Sequence, residues 1–507
     1  MTALGGTGDA GWGPVPLAGF PPADRPVRVR GVPGPGGGYA TYLEAPPEYR
    51  GTSVQVCGLW PHVLGVGTPM VGVPIGYHLR TRASVCCDPI HWFSAGIIRN
   101  PGMWLFGLTS YGKSTLARQM ALGLAGTGVR PIALGDLRPD YREVTELLGG
   151  QVTALGDGAG RLNVLDAGAM LEAAAELTRN GYRDAAQRLR ERALSRRLVL
   201  LGGHLSISRG HALADTEEAL LRVGLDLLDR GFDGIPVTGD LIKVISEGPQ
   251  RLREVTLTVN EPDSAYHDAV RPLLRSLVAY DTGTFGASFG RQSTTRPDVG
   301  APAICVDVSH VNRSDERFLA SVLLATWASG WGAIEAHRAL AEHGLRKPAR
   351  YLVIMDELWS VLRASGGMVE RVDELTRLNR GGADVAAVGN ILITHTFKDA
   401  DSLPSPEDRA KAIGFAERSG LIACTALAQR DLEVLNQIVG LSEAEIAEVR
   451  SWSQEAIYDN RHQQLRGGSG VGKFLLKPGS RPGIPVRVRM PQMPELADLH
   501  NTNRQWD

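Results

Sequence analysis

Short apolar runs recur along the chain, separated by longer stretches with apolar residues at helical spacing. The runs Met103–Phe106, Ile132–Leu134, Ala303–Val308, Leu352–Met355, Ile391–Thr394 and Leu421–Thr425 read as buried strands. Helical patterns lie between most of them. Strands alternating with helices predict an α/β fold, a parallel sheet covered by helices. Residues 166–275 break this alternation and are dominated by helix signals. Asp215 with Glu218 forms a plausible helix start, Leu220, Val223 and Leu227 share one helical face, and Thr238 is placed to cap a second short helix. This stretch is expected to be a helical subdomain inserted into the core, which splits into a first part, 102–165, and a second, 276–480.

The ends differ from the core. Residues 1–45 are rich in Gly and Pro, including the run Gly34-Pro35-Gly36-Gly37-Gly38. Such a segment buries too little apolar surface to fold alone and is expected to be a disordered tail. Residues 46–101 read as a short strand-rich segment, and 481–507 as a C-terminal tail. No apolar run approaches the ~20 residues of a membrane span, and no signal peptide is visible. The expectation is a cytoplasmic protein, peripheral at the inner face of a membrane if partners hold it there.

Composition narrows the function classes. Lys plus Arg is 54 and Asp plus Glu is 55, so the chain is not a basic nucleic-acid coat, and any DNA contact must use a local patch. Such a patch is suggested by Arg183, Arg188, Arg190, Arg192, Arg196 and Arg197, opposed mainly by Asp184 and Glu191. It is either a solvated helix face or a docking surface, and the lack of interleaved aromatic residues beyond Tyr182 gives no support to base stacking. The five cysteines form no CxxC pair, which speaks against a zinc site or a disulfide framework.

The chemistry is carried by Gly107-Leu-Thr109-Ser110-Tyr111-Gly112-Lys113-Ser114-Thr115. It matches GxxxxGK[ST], with a strand before it and a helix after it. The two glycines let the backbone curl so that successive N–H groups face phosphate oxygens, and the helix N-terminus adds partial positive charge. Lys113 is expected to bridge the β- and γ-phosphates of ATP, and the Ser114 hydroxyl to ligate Mg²⁺. Tyr111 is unusual at a position that favours small residues, and its ring must point outward. A second strand, Tyr351-Leu-Val-Ile-Met355, ends in Asp356 and Glu357, the Walker B pattern. Asp356 is expected to hold Mg²⁺ and Glu357 to act as general base for the attacking water. The stretch from Gly467 to Lys473 also fits GxxxxGK. It lacks the hydroxyl residue, having Phe474 next, and polar residues precede it, so it reads as a surface loop.

These motifs are joined by smaller matches. Asp136, Tyr141, Leu147-Leu-Gly-Gly150, Leu162-Asn-Val-Leu-Asp166, Asp307-Val-Ser309, Asp356-Glu-Leu-Trp359, Leu378-Asn-Arg380, Thr394-His395 and Gly472-Lys-Phe-Leu-Leu-Lys477 follow in order. Together the sequence resembles the conjugative-transfer and type IV secretion motor ATPases, VirB-four/TraC-type proteins of the HerA/FtsK group, over most of 73–480. The resemblance implies a RecA-like P-loop NTPase core, a hexameric homo-oligomer, and secretion-channel components and a coupling protein as partners. It also implies hydrolysis between subunits, with Arg380 as the leading candidate for an arginine acting on a neighbour's ATP and Arg418 and Arg430 behind it. His395 stands where the family has Gln, and a neutral imidazole there can donate one hydrogen bond to the γ-phosphate or the attacking water. Val164 replaces the family's Pro, and the region before the P-loop is shorter than usual. Other readings are a HerA/FtsK-like DNA translocase and an ATP-gated assembly scaffold with little turnover.

Overall fold

The computed structural model describes residues 68–489 apart from 157, 295, 366–367, 378–387, 397–402, 404, 454–456, 460–463 and 467–469, together with the pairs 32–33 and 39–40. The chain divides into Met1–Leu64 and Gly65–Asp507. In the first unit Val32–Pro33 pairs antiparallel with Tyr39–Ala40. All that follows concerns the second unit.

Eleven strands among the described residues form one sheet. They are β1 (Pro74–His78), β2 (Ser84–Cys86), β3 (Gly102–Phe106), β4 (Val129–Asp136), β5 (Gln151–Ala154), β6 (Ile304–Asp307), β7 (Arg350–Met355), β8 (Val388–Thr394), β9 (Leu421–Cys424), β10 (Lys473–Pro478) and β11 (Ile484–Val488). The spatial order is β2-β1-β11-β10-β9-β3-β8-β7-β4-β6-β5. The run from β9 to β5 is parallel throughout, and its strands are nearly continuous apolar sequence because helices cover both faces. All five residues of β3 are buried. From β10 outward the pairing turns antiparallel. Residues 46–101 thus contribute β1 and β2 to the edge of the main sheet, beside β11, which runs past residue 480.

One face of the sheet carries α1 (Lys113–Ala125), which follows the P-loop. The region after β5 is helical: α2 (Gly168–Arg179), α3 (Arg183–Arg209), α4 (Asp215–Gly231), α5 (Thr238–Glu247) and α6 (Asp263–Thr282). The 27-residue helix α7 (Glu316–Glu342) then packs against α2, α3 and β4. Its Trp327 is fully buried and donates from Nε1 to the Leu134 carbonyl at 3.0 Å.

Several local expectations need correction. By length and mean hydropathy α7 is apolar enough to cross a bilayer, against the reading that no stretch is. It is a core helix, with 94% of its apolar window buried. The start of α4 lies one residue earlier in its capping pattern than Asp215 with Glu218 suggests. Ala214 precedes the helix, and its N–H donates to Glu217 Oε2 at 2.8 Å. Before α5, the Val237 N–H donates to Asp240 Oδ2 at 2.8 Å, and the Thr238 hydroxyl turns instead to Asp281. The arginine-rich helix α3 is not uniformly a solvated face. Arg196 and Arg197 are buried and ion-paired to Glu335 and Asp229, while Arg183, Arg188 and Arg190 are exposed. The second GxxxxGK stretch follows a short strand, Gln464–Arg466, that its polar sequence did not suggest. What disqualifies it as a phosphate loop is the sequel, since β10 rather than a helix begins at Lys473. Gly467 to Ser469 lie outside the described residues. Cys86, Cys87, Cys305 and Cys424 are buried free thiols.

Candidate nucleotide site

The site grows from the C-terminal ends of three adjacent parallel strands, β3, β8 and β7. After Phe106, Gly107 adopts φ +145°, and a Cβ there would come within 2.3 Å of Thr425 Cγ2. Only glycine fits this close approach to the end of β9. The approach is fixed by Thr425 N–H donating to the Phe106 carbonyl and Leu108 N–H to the Ala426 carbonyl, both at 3.0 Å. Ser110 is left-handed at φ +67° without being glycine, and Gly112 follows at φ +96°. Thr109 and Ser110 are exposed on the crest, while Ser114 and Thr115 are half-buried in the first turn of α1. No side chain caps α1, so its positive end and first-turn amides face the loop's interior.

Lys113 is 5% exposed. Its Nζ donates to the Gly107 and Leu108 carbonyls at 2.7 and 2.9 Å. Burial lowers its pKa to about 8, opposed by the charges of Asp356 and Glu357. Tyr111 is half-buried against the main apolar cluster rather than turned outward, and its carbonyl accepts the Gly472 N–H at 3.0 Å. The C-terminal hairpin thereby touches the loop from the far side of the sheet order.

On β7 the chain turns sharply. Glu357 has φ +54°, and its N–H donates to Asp356 Oδ1 at 2.8 Å. This turn brings the two carboxylates together. Burial, then the charge of Glu357, pushes Asp356 up to about 6. Glu357 is held below its ordinary value, first by the hydrogen bond from His395, with burial opposing. His395 follows β8, the strand between β3 and β7, and its Nε2 lies 3.2 Å from Glu357 Oε1. One ligand atom each from Asp356, Glu357 and His395 lie within 4.8 Å of one another. His395 Nδ1 is buried with no hydrogen-bond partner among the described residues.

The arrangement fits a triphosphate with a hard cation. The loop amides and the start of α1 line the site, Lys113 supplies a buried cation, and Ser114 and Asp356 supply oxygen donors of the kind Mg²⁺ takes. His395 is brought to the general-base candidate Glu357. Arg418 is engaged within its own chain, donating to Asp373 at 2.7 Å and lying over the Phe415 ring. Arg430 is exposed. Arg380 lies outside the described residues.

Sequence reasoning missed several supports. Trp104 Nε1 donates to Thr394 Oγ1 at 2.7 Å, and its ring lies 6.3 Å from that of Trp359, tying β3, β8 and the helix after Glu357 together. Thr396 donates to Asp431 at 3.1 Å, anchoring the residue after His395. Arg138 acts electrostatically on both Lys113 and Glu357. Only Arg138 carried a local signal, a basic residue two positions after the strand-ending Asp136.

If His395 works by orienting Glu357, a side chain able to donate one hydrogen bond is sufficient. His395→Gln is expected to keep turnover within about threefold of wild type and His395→Ala to lose roughly tenfold, the scale of one ordinary hydrogen bond. Steady-state phosphate release checks this. Equal rates for wild type and His395→Ala would end the assignment.

Asp136 ends β4 beside the site. Its carboxylate accepts the Tyr141 and Asp140 N–H groups at 2.7 and 3.1 Å. Burial nevertheless raises its pKa to about 7 from an ordinary 3.8. Between these values the folded chain holds a proton that the unfolded chain releases. Stability must therefore fall as pH rises from about 4 to 7, by about 1.4 kcal/mol per pH unit for the group, and then level off. Asp136→Asn is expected to flatten the fall in melting temperature between pH 5 and 7.5. An unchanged slope would mean that other groups set it.

No family model and no curated protein matches the chain. The chain is similar to solved structures at low identity. VirB4 of Thermoanaerobacter pseudethanolicus matches with a TM-score of 0.58 at 17% identity, over 85% of this chain and 98% of that one. The plasmid coupling protein TrwB, in complex with the non-hydrolysable ATP analogue ADPNP, gives 0.45 at 12% identity, over 85% and 97%. The fold is a P-loop NTPase fold with a mostly parallel sheet, like that of VirB4.

Proposed function

We propose that the chain is an ATP-hydrolysing motor that powers conjugative DNA transfer or type IV secretion. One observation carries the chemistry: the strand order β3-β8-β7 sets Lys113, His395 and the pair Asp356–Glu357 side by side at one edge. The motor reading adds the fold shared with VirB4 and the ordered series of motif matches.

ATP is the substrate. The loop amides and the α1 N-terminus bind the β- and γ-phosphates, and Lys113 exchanges its two carbonyl acceptors for phosphate oxygens. Ser114 and Asp356 would hold Mg²⁺, which neutralises phosphate charge. Glu357, kept ionised by His395, accepts a proton from the attacking water and orients it at the γ-phosphorus. Trp104, Thr394 and Asp431 fix the strand end on which His395 sits. The assembly is a homo-hexamer held at the cytoplasmic side of the membrane by channel components and a coupling protein.

The test is turnover by the purified full-length chain. We expect Mg²⁺-dependent release of phosphate from ATP, abolished in Lys113→Ala together with binding of a fluorescent ATP analogue. Tight nucleotide binding without turnover, at concentrations where rings form, would replace the motor with a nucleotide-gated scaffold.

A further inference from the structure

The second GxxxxGK stretch ends against the P-loop itself. Gly472 N–H donates to the Tyr111 carbonyl at 3.0 Å, and the Gly472 carbonyl accepts the Val488 N–H at 2.8 Å. Gly472 has φ +74°. A Cβ on Gly112 would lie 3.6 Å from Gly472 N and 3.8 Å from Gly472 Cα. One end of the β10–β11 hairpin is therefore packed on the second glycine of the P-loop.

Two cations stand at that end. Lys473 opens β10, and Arg487 on β11 is its direct cross-strand partner. Both are half-buried, and neither side chain has a hydrogen bond or ion pair among the described residues. A Cβ on Gly472 would lie 4.0 Å from Arg487 Nε, so the guanidinium stem runs beside the residue that touches Gly112. Like charges directly opposite each other destabilise a sheet, and nearby acids do not relieve this pair. The helix Glu443–Trp452 packs against β10, but its Glu445 is held by Lys477 at 3.1 Å and its Glu448 by Arg80 at 2.9 Å. Tyr77, opposite Arg487 on β1, has a third cation, Arg82, 4.8 Å from the centre of its ring.

The strand order gives the direction in which a nucleotide would lie. The reacting γ-phosphate must meet Glu357, which follows β7, two strands from β3 on one side. A triphosphate gripped by the loop after β3 then runs the other way toward its nucleoside, over β9 and β10. Strands are spaced about 4.8 Å apart, so the hairpin lies roughly 10–14 Å from β3, within the reach of that end of the molecule.

From this placement, which rests on the nucleotide reading above, we infer that Arg487 is an ATP-binding residue of the same chain, donating to the α-phosphate while Lys113 and the loop amides hold the β- and γ-phosphates. Lys473 adds positive charge beside it. An anion at this point resolves the clash of the two cations, and the guanidinium offers paired donors that suit phosphate oxygens.

The experiment is calorimetric titration of the full-length protein with MgADP, which keeps the α-phosphate and is not hydrolysed, at fixed ionic strength. Arg487→Met retains most of the side chain's packing but not its charge, and should weaken binding about tenfold or more, the scale of a charge-assisted hydrogen bond. Arg487→Lys should recover part of the loss. Arg481→Met is the control. It removes the same charge from the turn at the opposite end of the same hairpin and should bind as wild type. In the wild-type protein, MgADP should also slow modification of Arg487 by phenylglyoxal, read by mass spectrometry, and leave Arg481 unaffected. This arm needs no variant to fold. Equal affinity of wild type and folded Arg487→Met, an equal loss in Arg481→Met, or unprotected Arg487 in nucleotide-saturated protein would each overturn the inference while leaving the P-loop reading intact. A wild type that binds neither ADP nor ATP would overturn both.

Discussion

Glu357→Gln is expected to lower ATP turnover by about 10²–10⁴-fold while nucleotide affinity stays near wild type. The amide keeps the size of the carboxylate and its hydrogen-bonding partner His395, whose Nε2–H can donate to an amide oxygen as it does to Oε1. What it loses is the capacity to take a proton. The phosphate-binding groups, Lys113 and the loop amides, are untouched, so binding and chemistry separate in this variant. The measurement pairs fluorescent-nucleotide titration with single-turnover phosphate release. Normal turnover would remove Glu357 as general base. Loss of binding would instead mean that its charge, which acts on Lys113, is needed to shape the loop.

Arg380→Ala is expected to be more severe, about 10³–10⁵-fold in rate, because an arginine reaching a neighbour's ATP neutralises charge that develops only in the transition state. ATP binding should persist. Arg380 falls between the helix Met368–Arg377 and β8, in a stretch followed by two glycines. Arg418, tied to Asp373 in its own chain, is the poorer candidate. Mixing Arg380→Ala with Lys113→Ala provides the decisive assay. In mixed rings some sites combine an intact loop from one subunit with an intact arginine from the next, so activity should exceed that of either variant alone. A mixture that never exceeds the sum of the two, despite proven subunit exchange, would exclude action in trans.

The parallel half of the sheet was legible because buried strands in such a sheet are continuous apolar runs. Met103–Phe106, Leu352–Met355 and Ile391–Thr394 lie within β3, β7 and β8. The antiparallel edge was not. β1 pairs with β11, and no local pattern announces a partner some 400 residues away in chain order. Lys113, Asp356 and Glu357 stood out because phosphate and metal chemistry demands those residue types directly after strands. The hydrogen bond from His395 to Glu357 depends on β8 lying between β3 and β7, which is a fact of topology. Arg196 misled for a related reason. Its counter-charge Glu335 is 139 residues distant, and composition alone presents such an arginine as solvent-facing.

The sheet order also sets a timetable for synthesis. β3 is flanked by β8 and β9, and β8 begins ~280 residues after β3 ends, a wait of about 15–60 s at ribosomal rates of roughly 5–20 residues per second. During that interval the fully apolar strand Gly102–Phe106 has neither of its final neighbours. The nascent chain therefore carries an unpaired, aggregation-prone edge through most of its translation. Slow, chaperone-assisted production and low soluble yield at high expression rates are the expected cost of placing the phosphate loop so early in the chain and its flanking strands so late.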